Sequence, residues 1–433
     1  MFERIRGVFA VPELRQRILY TLFMLMVFRI GVHIPVPGVD AKAFAEALER
    51  MWGGFFQFLS MFTGGGLRQF SLFALGVIPY INVSIIMSLL VVVFPKLKEL
   101  QQQGREGRKI LTKYTRWGTV GMAAIMSVGY AMLAVNARVA SPTPLFFINA
   151  IIGMTTGSIF LMWIGERITE NGIGNGISMI IMSGIIARYP AYFGNLFAQI
   201  SAGDLSPLWL IVFLALFVVM IAAAAVLQQG QRKLTVQYAK RTAGRRIYGG
   251  HTAQLPIRVN QGGVIPIIFA LAILQLPSVI LRSVPATEPY ARYLAPPHPL
   301  YLGLYAILII FFAYFYSSII FDPNDVAKNL REAGGFIPGV RPGAPTAAYL
   351  QEVTNKILLV GALFLTVVAI LPYVVGALSG VGAGTLLWMG GTSLLIVVGV
   401  GIDTIMQIEA HLVMHHYESL IKGAGAAFLG RRR

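Results

Sequence analysis

The sequence predicts an all-α, polytopic membrane protein with ten membrane-spanning helices. Three observations predict it. First, 56% of the 433 residues are hydrophobic and only 12% are charged. A soluble chain that apolar could not cover its own surface, which excludes most soluble enzymes and all disordered classes. Second, uncharged runs separate the clustered charges, at 69–95, 117–137, 139–165, 171–187, 205–231, 259–281, 293–321 and 357–402. A hydrocarbon core of ~30 Å takes about 20 helical residues. Third, the runs are rich in Leu, Ile, Val, Phe and Gly and lack the alternation of barrel strands, so they read as helices.

The elements follow in order. Ile18 to about Pro37 is the first span, with Arg29 near its outer end. The basic Arg15 and Arg17 before it imitate a signal peptide. Ile34-Pro-Val-Pro-Gly38 stands where a small-residue cleavage site would, so the segment is read as a retained span. Spans two to eight are the runs from 69–95 to 293–321. The 46-residue run 357–402 is broken by Gly376-Ala-Leu-Ser-Gly-Val-Gly-Ala-Gly384 into spans 357–375 and 386–402.

Ten spans put both termini on one face. The segments of that face carry 27 Lys/Arg against 7 on the other, so the termini and the large loops are expected to be cytoplasmic. Five plus five spans permit an inverted repeat, with halves at 1–187 and 208–433 and an external connection at 188–207. The net charge of +17 is therefore mostly topology. A nucleic-acid binder would be charge-rich, and this chain is not. It has no cysteine, hence no disulfide, thiolate nucleophile or Cys-type metal site.

Inside the spans, charge is nearly absent. An ion-coupled transporter, the second reading, usually keeps ionisable groups at mid-membrane. Only Arg29 lies well inside a span here, and near its end. An intramembrane enzyme, the third reading, would need a carboxylate pair, a Ser-His-Asp set or a metal cluster, and the spans offer none. His411 and His415 stand i,i+4 and could share a metal. Their order is not HExxH and they follow the last span, so no metal and no cofactor is assigned.

Phe55-Phe-Gln-Phe-Leu-Ser-Met-Phe62 is apolar but too short to span, and Thr63-Gly-Gly-Gly66 breaks it. It is either an external amphipathic helix or a movable stopper swinging on its glycines. Gly76-Val-Ile-Pro79 and Gly263-Val-Ile-Pro266 put kinks inside spans two and seven. Gly172-Ile-Gly-Asn-Gly-Ile177 opens span five, with no strand–helix unit around it to make a nucleotide loop. The aliphatic pairs Val77/Ile81 and Ile177/Ile181 are core or lipid-facing positions, or the lining of a dry constriction.

Loop 229–258 carries seven basic residues and no acid, which suits an RNA, an acidic protein or anionic lipid headgroups. Loop 322–356 is charge-balanced, and its proline-stiffened tip Gly335-Phe-Ile-Pro-Gly-Val-Arg341-Pro-Gly-Ala-Pro345 presents one arginine.

Seven segments carry a resemblance. They are Phe28-Arg-Ile-Gly, Ile34-Pro-Val-Pro-Gly38, Phe73-Ala-Leu-Gly-Val-Ile-Pro-Tyr-Ile81, Ile168-Thr-Glu-Asn-Gly-Ile-Gly-Asn-Gly-Ile-Ser178, Tyr238-Ala-Lys-Arg241, Gly335-Phe-Ile-Pro-Gly-Val-Arg-Pro-Gly343 and Gly391-Thr-Ser-Leu-Leu-Ile-Val-Val-Gly399. In order and over nearly the whole chain, they resemble the SecY/Sec61-alpha family of protein-conducting channels.

The resemblance implies ten helices in two inverted halves around an hourglass pore. It implies a pore ring at Val77, Ile81, Ile181, Ile268 and Ile396, with Ile177 adjacent. It implies a plug at about 55–67, including Phe55, Phe58, Leu59, Met61, Phe62, Gly64, Gly65 and Gly66. A lateral gate falls on spans 2, 3, 7 and 8, with Ser88, Ser127 and Gln275 as its polar positions. Lys240, Arg241, Arg245, Arg246 and Arg341 fall in loops that dock the ribosome or the SecA motor ATPase. SecE and SecG are the implied small partner subunits, signal sequences and nascent polypeptides the cargo, and a bacterial cytoplasmic membrane and its lipids the setting. Val77 is smaller than the family's usual isoleucine, and Ser88 stands where relatives often carry an amide. The external loop 282–300 and the tail 423–433 match poorly.

Overall fold

A computed structural model gives the structure and describes residues 11–52, 56, 60, 63–203, 206–238, 241–243, 246–248, 252–271, 273–274, 292–294, 298–379 and 391–430. It forms two compact units: Met1–Asn195 with Val400–Arg433, and Leu196–Gly399.

The first unit opens with α1 (Pro12–Val32), started by a proline in its first turn. A short amphipathic helix, α2 (Ala41–Trp52), follows. Asp40 Oδ1 accepts from Lys42 N at 2.9 Å and Ala43 N at 3.2 Å, and Phe44 and Leu48 turn one face inward. A pattern of uncharged runs does not mark this helix, because it is short and carries charges on its outer face.

Then come α3 (Ile78–Val93), α4 (Pro95–Gln102), α5 (Arg105–Asn136), α6 (Pro144–Asn171), α7 (Gly176–Ile186) and α8 (Tyr189–Ser201), whose residues from Leu196 onward fall in the second unit. Run 69–95 is thus helical only from residue 78; residues 63–77 form successive turns. Proline at the first turn of α3 explains the late start, because Pro79 fits where no helical N–H is needed. The helices α5 and α6 continue beyond their apolar runs, where Arg116 and Glu166 pair through two hydrogen bonds of 2.9 and 2.7 Å.

The turn between α6 and α7 is the Gly-Ile-Gly-Asn-Gly segment. A Cβ on Gly176 would lie 1.9 Å from the Gly165 carbonyl oxygen, so only glycine lets α7 start against α6. Asn175 caps α7 by accepting from Ser178 N at 3.2 Å. These glycines serve close packing of helices, not phosphate binding.

The second unit holds α9 (Pro207–Gln229), four strands, helical residues 265–271, α10 (Pro299–Ile320), α11 (Pro323–Glu332), a two-residue strand and α12 (Ala344–Ser379). α13 (Gly391–Gly430) begins in this unit and ends in the first.

The expectation of an all-α chain needs one correction. Loop 229–258 folds as strands β1 (Gln231–Tyr238), β2 (Arg241–Ala243), β3 (Arg246–Tyr248) and β4 (Thr252–Arg258). β1 and β4 pair antiparallel, with Leu234 opposite Leu255 and Val236 opposite Ala253. β5 (Gly335–Phe336), from the other large loop, adds to the free edge of β1 through Gln237 and Tyr238. The reason is period-2 burial: Leu234 and Val236 point inward while Lys233, Thr235 and Gln237 are exposed. Under the sheet lie Ile257, Ile337, Leu350 and Val353, a core to which the start of α12 contributes.

Among the described residues, seven helices are long and apolar enough to cross a membrane, or up to eight if a bent pair is one span.

Candidate functional site

The non-helical stretch 63–77 sits inside the first unit. Leu67, Phe70, Phe73, Ala74, Leu75 and Val77 are buried, as are Phe56 and Ser60 before them. Phe70 packs edge-on to Phe44 at 4.7 Å and stacks on Phe146 at 6.3 Å, while Phe73 stacks on Phe28 at 6.3 Å. Backbone groups that a helix would satisfy find other partners. Gly65 N donates to Ser60 O at 2.8 Å, Leu67 N to Thr63 Oγ1 at 3.2 Å, and Ser158 Oγ to Gly76 O at 3.1 Å.

Of the expected plug, Gly64, Gly65 and Gly66 are described; Phe55, Phe58, Leu59, Met61 and Phe62 lie outside the described residues. Gly64 and Gly65 adopt φ of +63° and +97°, so they shape a fixed turn here. Two arginines reach this turn. Arg29 of α1 donates to Gly64 O at 3.0 Å, and Arg188, just past α7, donates to Ser60 Oγ.

A cavity of about 490 Å³ opens beside the turn, walled by Arg29, His33, Glu46, Gly64, Arg68 and Arg188. The cavity, the two arginine contacts and the glycine turn were not foreseen from sequence. Arg29 itself was the signal: a charge in an apolar span needs a partner.

The expected ring positions divide between units. Val77, Ile81, Ile177 and Ile181 belong to the first; Ile268 and Ile396 belong to the second. Val77, Ile181 and Ile396 are buried, and Ile81, Ile177 and Ile268 are half-buried. Val77 is the residue before α3, Ile81 lies in its first turn, and Ile177 and Ile181 lie one turn apart on α7.

Of the expected gate positions, Ser88 is exposed on α3 and returns its hydroxyl to Ser84 O at 2.8 Å. Ser127 is buried on α5, donates to Ala123 O at 2.7 Å and meets Thr155 Oγ1 of α6 at 3.2 Å. The two serines therefore engage different neighbours. Gln275 lies outside the described residues.

Lys240 and Arg245 also lie outside them. Arg241 and Arg246 open β2 and β3, which pair antiparallel with Arg241 opposite Tyr248 and Arg246 opposite Ala243. Arg341 is exposed on the turn between β5 and α12, where its carbonyl accepts from Thr346 Oγ1 at 2.8 Å. Among the described residues, no group of three or more His, Asp or Glu gathers that could hold a metal.

Solved structures share this fold. A structure described as that of a protein-conducting channel matches with a TM-score of 0.63 and 18% identity, over 92% of each chain. Sec61 in a canine ribosome–channel complex matches with a TM-score of 0.58 and 18% identity, over 92% of each chain. The fold is therefore that of the SecY/Sec61 channels.

The sequence narrows this further. The SecY family model matches residues 71–405. The protein translocase subunit SecY of Thermotoga maritima is 45% identical over 432 residues, covering 98% of each chain. That of Escherichia coli K12 is 41% identical over 441 residues, covering 99% of this chain and 98% of the relative. The chain belongs to the SecY family.

Proposed function

We infer that the chain is the channel-forming subunit of a protein translocase in a bacterial cytoplasmic membrane. It passes unfolded polypeptides across the membrane and releases apolar segments sideways into lipid. The observation that carries this reading is the non-helical stretch 63–77, folded and sealed among membrane helices in a chain of the SecY family. A stopper held by hydrogen bonds and aromatic packing is what a pore that must open for large cargo requires.

In this reading ten helices in two inverted halves, 1–187 and 208–433, surround the pore, with 188–207 as their hinge. Val77, Ile81, Ile177, Ile181, Ile268 and Ile396 form its constriction. A ring of aliphatic side chains excludes ions by dewetting and fits round a moving chain without binding it. Spans 2, 3, 7 and 8 part at the gate, with Ser88, Ser127 and Gln275 along it. Sideways exit follows transfer energies: Leu or Ile contributes about −0.5 kcal/mol at mid-helix and a charge costs about +3. Some twenty apolar residues therefore leave for lipid, and ordinary secreted sequence passes through.

The sequence has no nucleotide-binding loop, so the drive comes from partners or the membrane potential. Both termini are cytoplasmic. The sheet formed by the two large loops, with Lys240, Arg241, Arg245, Arg246 and Arg341, is the docking face for the ribosome and for SecA. SecE and SecG complete the complex.

The test is site-specific crosslinking of a stalled nascent polypeptide from positions 81, 181 and 268. Adducts at all three are expected. No adduct at any of them, in a preparation that still engages ribosomes, would sink the reading. Capture of a small photoreactive solute at those positions instead would favour a secondary transporter.

A further inference from the structure

The two arginines at the glycine turn come from different elements and from far along the chain. Arg29 lies on α1, 35 residues before Gly64; Arg188 follows α7, 128 residues after Ser60. Gly64 is buried. A Cβ there would meet Phe28 Cζ at 3.0 Å, Arg29 Nη1 at 3.2 Å and Gly184 Cα at 3.2 Å, so the turn is seated directly on α1 and α7. His33 Nδ1 lies 2.9 Å from Arg29 O, and the Arg188 guanidinium lies 5.8 Å from the centre of the Tyr192 ring.

A guanidinium within an apolar span is costly unless partnered, and charge-assisted bonds to a carbonyl or hydroxyl are stronger than neutral ones. Here the partners belong to the very segment that must move. The neighbouring cavity supplies the other half of a reversible device. Its wall mixes Val32 and several alanines with His33, Glu46 and Gln69, so an arginine that loses its bond still finds polar groups to face.

We propose that Arg29 and Arg188 form a two-point latch that holds Ser60 and the glycine turn 63–66 in the closed position, and that breaking both contacts is a step in opening the channel. The proposal rests on the plug reading of this segment. The arginines are positioning residues: they touch the stopper and not the cargo.

The experiment measures resting ion conductance of the assembled translocase in planar bilayers. Arg29→Gln, Arg188→Gln and Ser60→Ala are each expected to raise the resting open fraction about tenfold, the size expected for one lost charge-assisted bond. The double arginine variant should conduct more than either single one. Arg29→Lys, which keeps a donor and a charge, should restore most of the closure.

A second background separates this idea from the plug reading. Deletion of 57–65 should raise conductance by itself, and Arg29→Gln should then add nothing. If the deletion conducts but the three single variants stay at the unmodified level, the latch is wrong and the plug stands. If the deletion leaves conductance unchanged, the plug reading falls and takes the latch with it. If Arg29→Gln adds leak equally in the deleted background, its effect is a packing defect and the latch is overturned. Ser60→Ala leaves both arginines in place, which keeps the test decisive should Arg29→Gln fail to assemble.

Discussion

Thr21 has 3% of its surface exposed, and its hydroxyl works in two directions. It donates to Arg17 O at 3.0 Å and accepts from Ile173 N at 3.0 Å, tying α1 to the turn before α7. Thr21→Val keeps the shape and strands the Ile173 amide. The expected loss is about 1–3 kcal/mol, read as a lowered unfolding midpoint in detergent, with Thr21→Ser close to unchanged. Equal midpoints for Val and Ser would mean that the amide has a second acceptor.

At the proposed constriction, Ile268→Asn or Ile396→Asn is expected to relax signal-sequence selectivity. The measurement is export of a reporter carrying a defective signal sequence; no gain in export and no change in conductance would remove both residues from the ring. Single residues were legible only where chemistry is local or the family motif is long. Of the expected ring positions, Val77, Ile81, Ile177 and Ile396 lie in such motifs, and Ile181 and Ile268 lie outside them. The Arg116–Glu166 pair was not legible, because 50 residues separate its members and nothing in either segment names the other.

Among elements, the sheet formed by the two large loops departs most from a helical expectation. A search for uncharged runs reports spans and passes over a basic hairpin, although Leu234, Val236 and Tyr238 alternate plainly in β1. Helix α2 escaped for the same reason: it is amphipathic and too short to span. The late start of α3 was half-legible, since Pro79 was seen as a kink and not as a first-turn proline.

The sheet makes its own prediction. Leu350 is fully buried beneath it, on α12, together with Val236, Ile257 and Ile337. Leu350→Ala should cost about 2–5 kcal/mol locally. Trypsin cleavage within 239–250 should then accelerate while the membrane helices stay protected. An unchanged cleavage rate would mean that β1 and β4 hold without the core under them.

On the scale of the molecule, charge patterning predicted a membrane bundle and its clustered basic face, and the match to SecY relatives spans nearly the whole chain. Composition could not predict which spans group together. Residues from Val400 onward pack with the first unit. Gly174 N donates to Gln407 Oε1 at 2.9 Å, and Thr404 Oγ1 meets Met179 Sδ at 3.6 Å. Such contacts join residues more than 200 positions apart and leave no local trace.

Arg341 bears on the whole assembly, because its exposed turn follows the strand that joins the two large loops. Arg341→Glu should impair motor-driven export several-fold more than ribosome-coupled insertion, with the unfolding midpoint unchanged. The two assays side by side decide it: equal loss in both would mean a general folding defect.

The Gly174–Gln407 bond also sets a timetable. Its acceptor is made 233 residues after its donor. At about 5–20 residues per second of synthesis, that is a delay on the order of 10–50 s. Throughout that interval the α6–α7 turn already exists without the side chain that will satisfy its amide. The first half of the protein to be born is thus completed by its last helix, and a ribosome stalled before residue 407 would leave it waiting at that seam.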